Sequence, residues 1–280
     1  MAALMLTLES VTYRYAGAPR SSLHEVSLEL RAGEVLGLVG ASESGKTTLC
    51  LVASGLAPRT VGGTLTGRVL LDGEETAPLL MHQLAGRIGI AFASPATQLS
   101  GVAATVYEEV AFGPMNLGVP RPELIARTEE ALSALRIESL ADRDPARLSG
   151  GQQQLVAIAG LLALRPAHMV LDEPTAQLDP AGTAMVATAL ASLATNGASI
   201  LVAEQKTDLL AGICSRVVVL DAGRVVLDGL AAEILADPRL TDLGVAPPPA
   251  VRLRRTAADA NLPAASLARL DEAIAQALSQ

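Results

Sequence analysis

Residues 40–48 read Gly-Ala-Ser-Glu-Ser-Gly-Lys-Thr-Thr, two glycines bracketing four residues, with a lysine and a threonine directly after the second. A nucleoside triphosphate concentrates negative charge at one end and needs many donors close together. A loop that wraps into a helix supplies them as backbone N–H groups and as the positive end of the helix dipole. In such a loop Gly40, Ala41, Ser42, Glu43, Ser44, Gly45 and Thr48 surround the phosphates, Lys46 reaches the β and γ phosphates, and Thr47 offers its hydroxyl to Mg²⁺. The same string also reads as an ordinary Gly/Ser turn before a helix. A second candidate lies at Asp172-Glu173-Pro174, directly after the apolar residues Met169-Val170-Leu171. A carboxylate there can hold Mg²⁺ through water, and its neighbour Glu173 can polarise an attacking water as a base.

The flanking elements suit this chemistry. Val35–Val39 predicts a strand before the loop, and Leu49–Ala53 a helix after it. Upstream, Leu4–Leu8, Val11–Tyr15 and Val26–Leu30 read as strands, broken at 16–19 and at Ala32-Gly33. Downstream, Gly67–Asp72 and Ile88–Phe92 read as strands, and 105–149 turns to helical periodicity punctuated by Pro120, Pro122 and Pro145. Met169–Leu171 and Ile200–Ala203 are short apolar strands ending in polar residues, the second in Glu204-Gln205. Buried strands with functional side chains at their carboxyl ends are the pattern of an open parallel sheet with its ligand beyond those ends. Val217–Leu220 and Val225–Leu227 form a last β segment, 246–249 reads as a linker, and Ser266–Leu278 has a helical apolar face.

The 280 residues can hold a large α/β domain with a satellite subdomain. Half of them are apolar but only 2% aromatic, so the core is built from Ala, Leu and Val. A formal charge of −8 argues against nucleic acid as a partner, and the basic cluster Arg252, Arg254 and Arg255 is too short to reverse that. No signal peptide is expected at the start, and the uncharged run 181–203 reads as helix, turn and strand in a soluble chain, not as a membrane span. Cys50 and Cys214 read as small buried hydrophobes, and His24, His82 and His168 as ordinary surface or strand-flanking residues.

Leu148-Ser149-Gly150-Gly151-Gln152 precedes the Asp172-Glu173 pair, and a Ser-Gly-Gly opening of a helix lets N–H groups approach a phosphate with no Cβ in the way. With these motifs the chain resembles the ATP-binding cassette ATPases over about residues 4–237. The resemblance implies an α/β P-loop NTPase (RecA-like) core with an N-terminal antiparallel β subdomain and an inserted α-helical subdomain. It places the cassette domain at 1–245, the helical insert at about 99–150, and a Pro-rich linker with a helical tail at 246–280. ATP and Mg²⁺ are the implied cofactors. Ser149, Gly150, Gly151 and Gln152 would contact the γ-phosphate held by a partner subunit, Asp179 would couple the two sites, and Tyr15 would stack on adenine.

Three positions depart from the family pattern. Ala93 stands where a Gln usually follows an apolar strand, and Gln205 where a switch histidine is usual. Gln205 can hydrogen-bond a phosphate oxygen but carries no positive charge and shuttles no proton. Glu43 replaces a usual glycine and is expected to turn to solvent, away from the phosphates. With Lys46, Asp172 and Glu173 intact, the expectation is MgATP binding with weak hydrolysis at this chain's own face, carried by Lys46, Glu173 and Gln205. The Leu148–Gln152 turn would complete the stronger site of a different cassette.

Thr105–Gly118 resembles a segment of cassettes from energy-coupling factor and cobalt-type importers. That resemblance implies an importer of a vitamin or metal ion, with a second cassette ATPase, a different one favoured, a transmembrane coupling protein and a substrate-capture membrane protein. It implies a peripheral place on the cytoplasmic face of the membrane, with membrane helices received near Ala93–Phe112. A soluble cassette in translation or DNA maintenance would need a second cassette or a long coiled-coil insertion, and the sequence has neither. A regulatory, nearly inactive half remains the third reading. The tail after Pro249 reads as a dimer-stabilising helix, a tether or a loosely folded end.

Overall fold

Alternation of buried and exposed side chains over Met5–Arg14 makes one long first strand, β1, instead of the two expected. Ser10 has φ 47° and the register shifts between Leu8 and Val11, so a bulge joins the halves without ending the pairing. The computed structural model describes residues 5–260 together with Ser266, Arg269, Glu272 and Ala273. Leu4 and most of the expected helical run 266–278 lie outside the described residues.

The other strands are β2 (Leu23–Arg31), β3 (Val35–Val39), β4 (Thr64–Leu71), β5 (Glu74–Glu75), β6 (Ile88–Ala91), β7 (His168–Asp172), β8 (Ser199–Ala203), β9 (Arg216–Asp221) and β10 (Arg224–Leu230). They form an antiparallel sheet ordered β2-β1-β4-β5 and a six-stranded sheet ordered β10-β9-β3-β8-β7-β6. In the second sheet every pair is parallel except β9 with β10. β3, β7 and β8 are buried at every residue, as strands covered on both faces must be. The N-terminal antiparallel sheet and the parallel core of the expected fold are both present.

The helices that matter for the site are α1 (Lys46–Ala53), α2 (Val106–Asn116), α3 (Arg121–Ala134), α4 (Gly150–Leu164), α5 (Pro180–Thr195), α6 (Thr207–Ile213) and α7 (Pro249–Asp259). α2 starts where it does because Thr105 and Glu108 form a capping box. α2 and α3 lie within the expected insert and bury Val106, Val110, Ala131 and Leu132 in one cluster with Leu155, Val156 and Ile158 of α4. The uncharged run 181–203 becomes α5, a turn at Gly197 and β8. Among the described residues no helix is long and apolar enough to cross a membrane.

Two expectations change. The linker ends sooner, because Pro249 is the first residue of α7, where its missing N–H costs nothing. His168 is neither on the surface nor a mere strand flank: it is fully buried, with Nε2 2.9 Å from Asp72 Oδ1. That pair ties β7 of the core to the turn after β4 of the antiparallel sheet. Cys50 and Cys214 are buried free thiols, as expected.

Candidate active site

Register brings the chemistry to one edge. Leu38 and Asp172 both pair with Ala203 of β8, which lies between β3 and β7, so the loops after all three strands leave the sheet side by side. Those loops carry Gly40–Gly45, Glu173 and Gln205, and the first of them runs into Lys46 and Thr47 at the start of α1. A Cβ on Gly40 would collide with the Leu220 carbonyl oxygen and the Ser44 hydroxyl. Gly45 takes φ 106° immediately before α1, with the Ser22 carbonyl close by. The loop is fastened from outside as well: Gly223 N–H donates to Ser44 O, and His24 N–H to Gly223 O, both at 2.8 Å.

The resulting cleft has a volume of about 980 Å³, room for a nucleotide. Ser42, Glu43, Gly45, Lys46, Thr47, Thr48, Glu173 and Gln205 line it. Lys46 is 6% exposed and donates from Nζ to Gly40 O at 2.8 Å and Ala41 O at 2.9 Å. Burial pushes its pKa down, against the opposing pull of Glu173 and Asp172. Asp172 is 5% exposed. Burial raises its carboxyl above the usual carboxylate range, and a hydrogen bond from the Thr47 hydroxyl works in the opposite direction. Asp172 Oδ1 and Ser44 Oγ are buried without a protein partner. Orphaned buried oxygens are costly unless a ligand meets them.

Glu173 has φ 51°, a sparsely populated conformation for a non-glycine residue, and its N–H donates to Ala203 O at 2.8 Å. Gln205 Nε2 donates to Glu173 Oε1 at 2.6 Å, so the residue at the switch position holds the candidate base directly. Glu43 is exposed, with φ 63°, the left-handed conformation that glycine adopts without strain. Tyr15 lies just past β1, with its hydroxyl 3.0 Å from Thr48 Oγ1 and its ring edge-on to Tyr13 at 5.0 Å. Ala93 has no polar side chain to offer. Gln98 does not replace the missing amide: its side chain accepts from Phe92 N–H and donates to Phe92 O, both at 3.0 Å.

The other face is elsewhere. Ser149, Gly150, Gly151, Gln152 and Asp179 do not line the cleft. Ser149 is exposed and begins α4 with a capping box, its N–H donating to Gln152 Oε1 at 3.1 Å and its Oγ accepting from Gln152 N–H at 3.4 Å. Asp179 caps α5 through Gly182 N–H at 2.7 Å. Arg20, Ser22, His24 and Gly223 also line the cleft, and none of them was expected there. No local pattern marks them, because the place of β9 beside β3 brings the β9–β10 turn to the loop and the packing of the other sheet brings β2 there.

A parallel sheet with a phosphate-type loop, a strand-end acidic pair and a Ser-Gly-Gly helix start defines a P-loop nucleotide-binding protein. The family model described as ABC transporter matches residues 23–176, and the chain belongs to the ATP-binding cassette family of ATPases. It is 41% identical to a putative ABC transporter ATP-binding protein of Methanosarcina acetivorans, over 89% of this chain and 41% of that protein. The chain thus spans less than half the length of that relative. It is 40% identical to the cobalt import ATP-binding protein CbiO of Rhodobacter capsulatus, over 87% of this chain and 85% of that one. The solved structure of cbiO1 from Clostridium perfringens, part of the ABC transporter complex cbiONQ, superposes with a TM-score of 0.73 at 32% identity. It covers 86% of this chain and 94% of its own.

Proposed function

We propose that this chain is the ATP-binding and hydrolysing subunit of a membrane importer for a vitamin or metal ion, of the energy-coupling factor or cobalt type. One observation carries the reading. Ser44 Oγ and Asp172 Oδ1, two residues before Lys46 and one before Glu173, lie buried and unpartnered, while Ser149 is exposed and no residue of the Ser149–Gly151 turn lines the cleft. The first arrangement fits a magnesium nucleotide, and the second fits a nucleotide held by another subunit.

Lys46 would exchange the Gly40 and Ala41 carbonyls for phosphate oxygens. Asp172 and the Thr47 hydroxyl offer the hard oxygen donors that Mg²⁺ prefers. The ion, when bound, neutralises charge on the phosphate oxygens. Glu173 orients the attacking water and takes its proton, and Gln205 fixes the carboxylate that does so. Tyr15 stacks on the adenine and Asp179 lies along the subunit contact. Ala93 and Gln205 leave this face a weak hydrolase, which favours a different cassette as partner, its site completed by Ser149–Gln152. The groove near Ala93–Phe112 receives helices of a transmembrane coupling protein, and a separate membrane protein captures the solute. The chain would then sit on the cytoplasmic face of the membrane. The same two departures support a second reading, a catalytically weak regulatory cassette.

The test is the native assembly, recovered through a tag on this chain, its bound small molecule identified by mass spectrometry and its uptake assayed with Glu173→Gln. Lost uptake is expected. Unchanged uptake assigns the regulatory role, and recovery without any membrane protein overturns the importer reading. Turnover of the chain alone at about ten per second, typical of enzymes, would contradict the weak face.

A further inference from the structure

The residues on either side of Gln205 are fastened to a different segment of the same chain. Glu204, 2% exposed, accepts from the Thr175 hydroxyl at 2.8 Å and from Gln205 N–H at 3.0 Å. Lys206 donates from Nζ to Thr175 O at 2.7 Å and to Leu178 O at 3.4 Å. Segment 173–178 is thus held at its start by Gln205 on Glu173 and along its length by Lys206. It also leads to the other face. Gln177 packs so closely on α4 that a Cβ on Gly150 would collide with its side-chain oxygen, and one on Gly151 would lie 3.0 Å from its carbonyl oxygen.

We propose that Lys206 is a positioning residue for ATP turnover: by holding the Thr175 and Leu178 carbonyls it sets Glu173 toward the cleft and Gln177 against the turn at Gly150. One ammonium group then registers both faces of the chain. Three donors on a flexible stem suit two carbonyls of one irregular segment. Without the charge these carbonyls lose a charge-assisted partner, and the segment relaxes toward other conformations. Nucleotide affinity does not depend on it, because Lys46 and the loop that bind phosphate are held by contacts of their own. The inference rests on the reading in which Ser149–Gln152 seals a partner's nucleotide.

Lys206→Met keeps the stem and removes the ammonium, and Lys206→Arg restores a cation. Single-turnover hydrolysis, with protein in excess, and the Kd of a fluorescent ATP analogue are measured on the native assembly. Amide exchange over 175–179 is read in the same samples. Expected are a fall in rate constant of about ten-fold in Lys206→Met, recovery to within about three-fold in Lys206→Arg, and an unchanged Kd. Exchange over 175–179 should rise in Lys206→Met alone. A rate within about two-fold of wild type, a Kd that shifts in step with the rate, or no recovery with Arg overturns the proposal. Should Lys206→Met not fold, exchange over 175–179 in Lys206→Gln decides, and an unchanged pattern overturns it. Ser149→Arg is the separate control: if it leaves turnover intact, the seal reading fails whatever Lys206 does.

Discussion

The cleft around Lys46 and the turn at Ser149 satisfy their polar groups in opposite ways. At the phosphate-type loop and the end of β7 two buried oxygens are left short, Ser44 Oγ and Asp172 Oδ1, and Lys46 in the cleft wall makes do with two loop carbonyls, while Ser42, Glu43, Thr47 and Gln205 on that wall are exposed. At the turn Ser149 is exposed and Gln152 half-buried, and the two already cap each other. An unsatisfied pocket binds its ligand by itself, because the ligand repairs a standing deficit. A turn whose polar groups are already paired gains little from a free ion in water and would act only when a second protein surface removes that water. On the proposed function the chain would carry half of each of two sites.

The contrast breaks first at Lys46. Lys46→Ala should reduce turnover by about two to three orders of magnitude and weaken nucleotide binding, since it removes a charge from a water-poor site. Equilibrium binding of a fluorescent nucleotide checks it, and retained affinity would show that the deficit is not what binds. Ser149→Arg should slow turnover of the assembled cassettes by about a hundred-fold. Binding to the isolated chain should stay as it was, because Ser149 is outside the cleft. Equal losses in both measurements would erase the distinction. Gln205→His is the mild case, expected to raise single-turnover hydrolysis several-fold, about 1 kcal/mol in barrier, by restoring a proton-carrying side chain beside Glu173.

The cleft was the more legible of the two faces. Gly40–Thr47, Asp172 and Glu173 announce themselves because phosphate chemistry fixes their spacing within single strand-to-loop turns. The expected strands around them appear, with the division of β1 mistaken because a bulge at Ser10 and a strand end look alike in sequence. Contacts set by strand order and by the packing of the two sheets left no local trace: His24 on Gly223 and Gly223 on the loop, Lys206 on Thr175, and the buried His168 with Asp72. The start of α7 at Pro249 was hidden for another reason, since a proline run signals a linker and a helix start equally well.

The smallest predicted effect concerns stability and should touch neither face. β7 carries Asp172 at its carboxyl end and His168 at the other, about 13 Å apart at strand rise, so the His168–Asp72 pair lies away from the nucleotide edge. Burial holds the His168 pKa below its ordinary 6.5, although the bond to Asp72 and its charge pull the other way. Asp72 is held below the ordinary carboxylate range: burial opposes this, but Met5 N–H, His168 and Arg87 outweigh it. A depressed histidine stays neutral in the folded chain while the unfolded chain takes up a proton as pH falls through 6.5. Stability should therefore be lost below that pH, by up to about 1.4 kcal/mol per unit for one proton, until the folded pKa is reached. Asp72 adds its own loss only in the lower carboxylate range. His168→Gln keeps a donor toward Asp72 and cannot titrate, so urea unfolding between pH 7 and 5.5 should show a shallower slope than in the wild type. Nucleotide affinity at pH 7 should be the same in both. A slope unchanged by the substitution would place the acid sensitivity elsewhere. Altered affinity would mean that the two ends of β7 communicate, and the cleft would no longer stand apart from the rest of the fold.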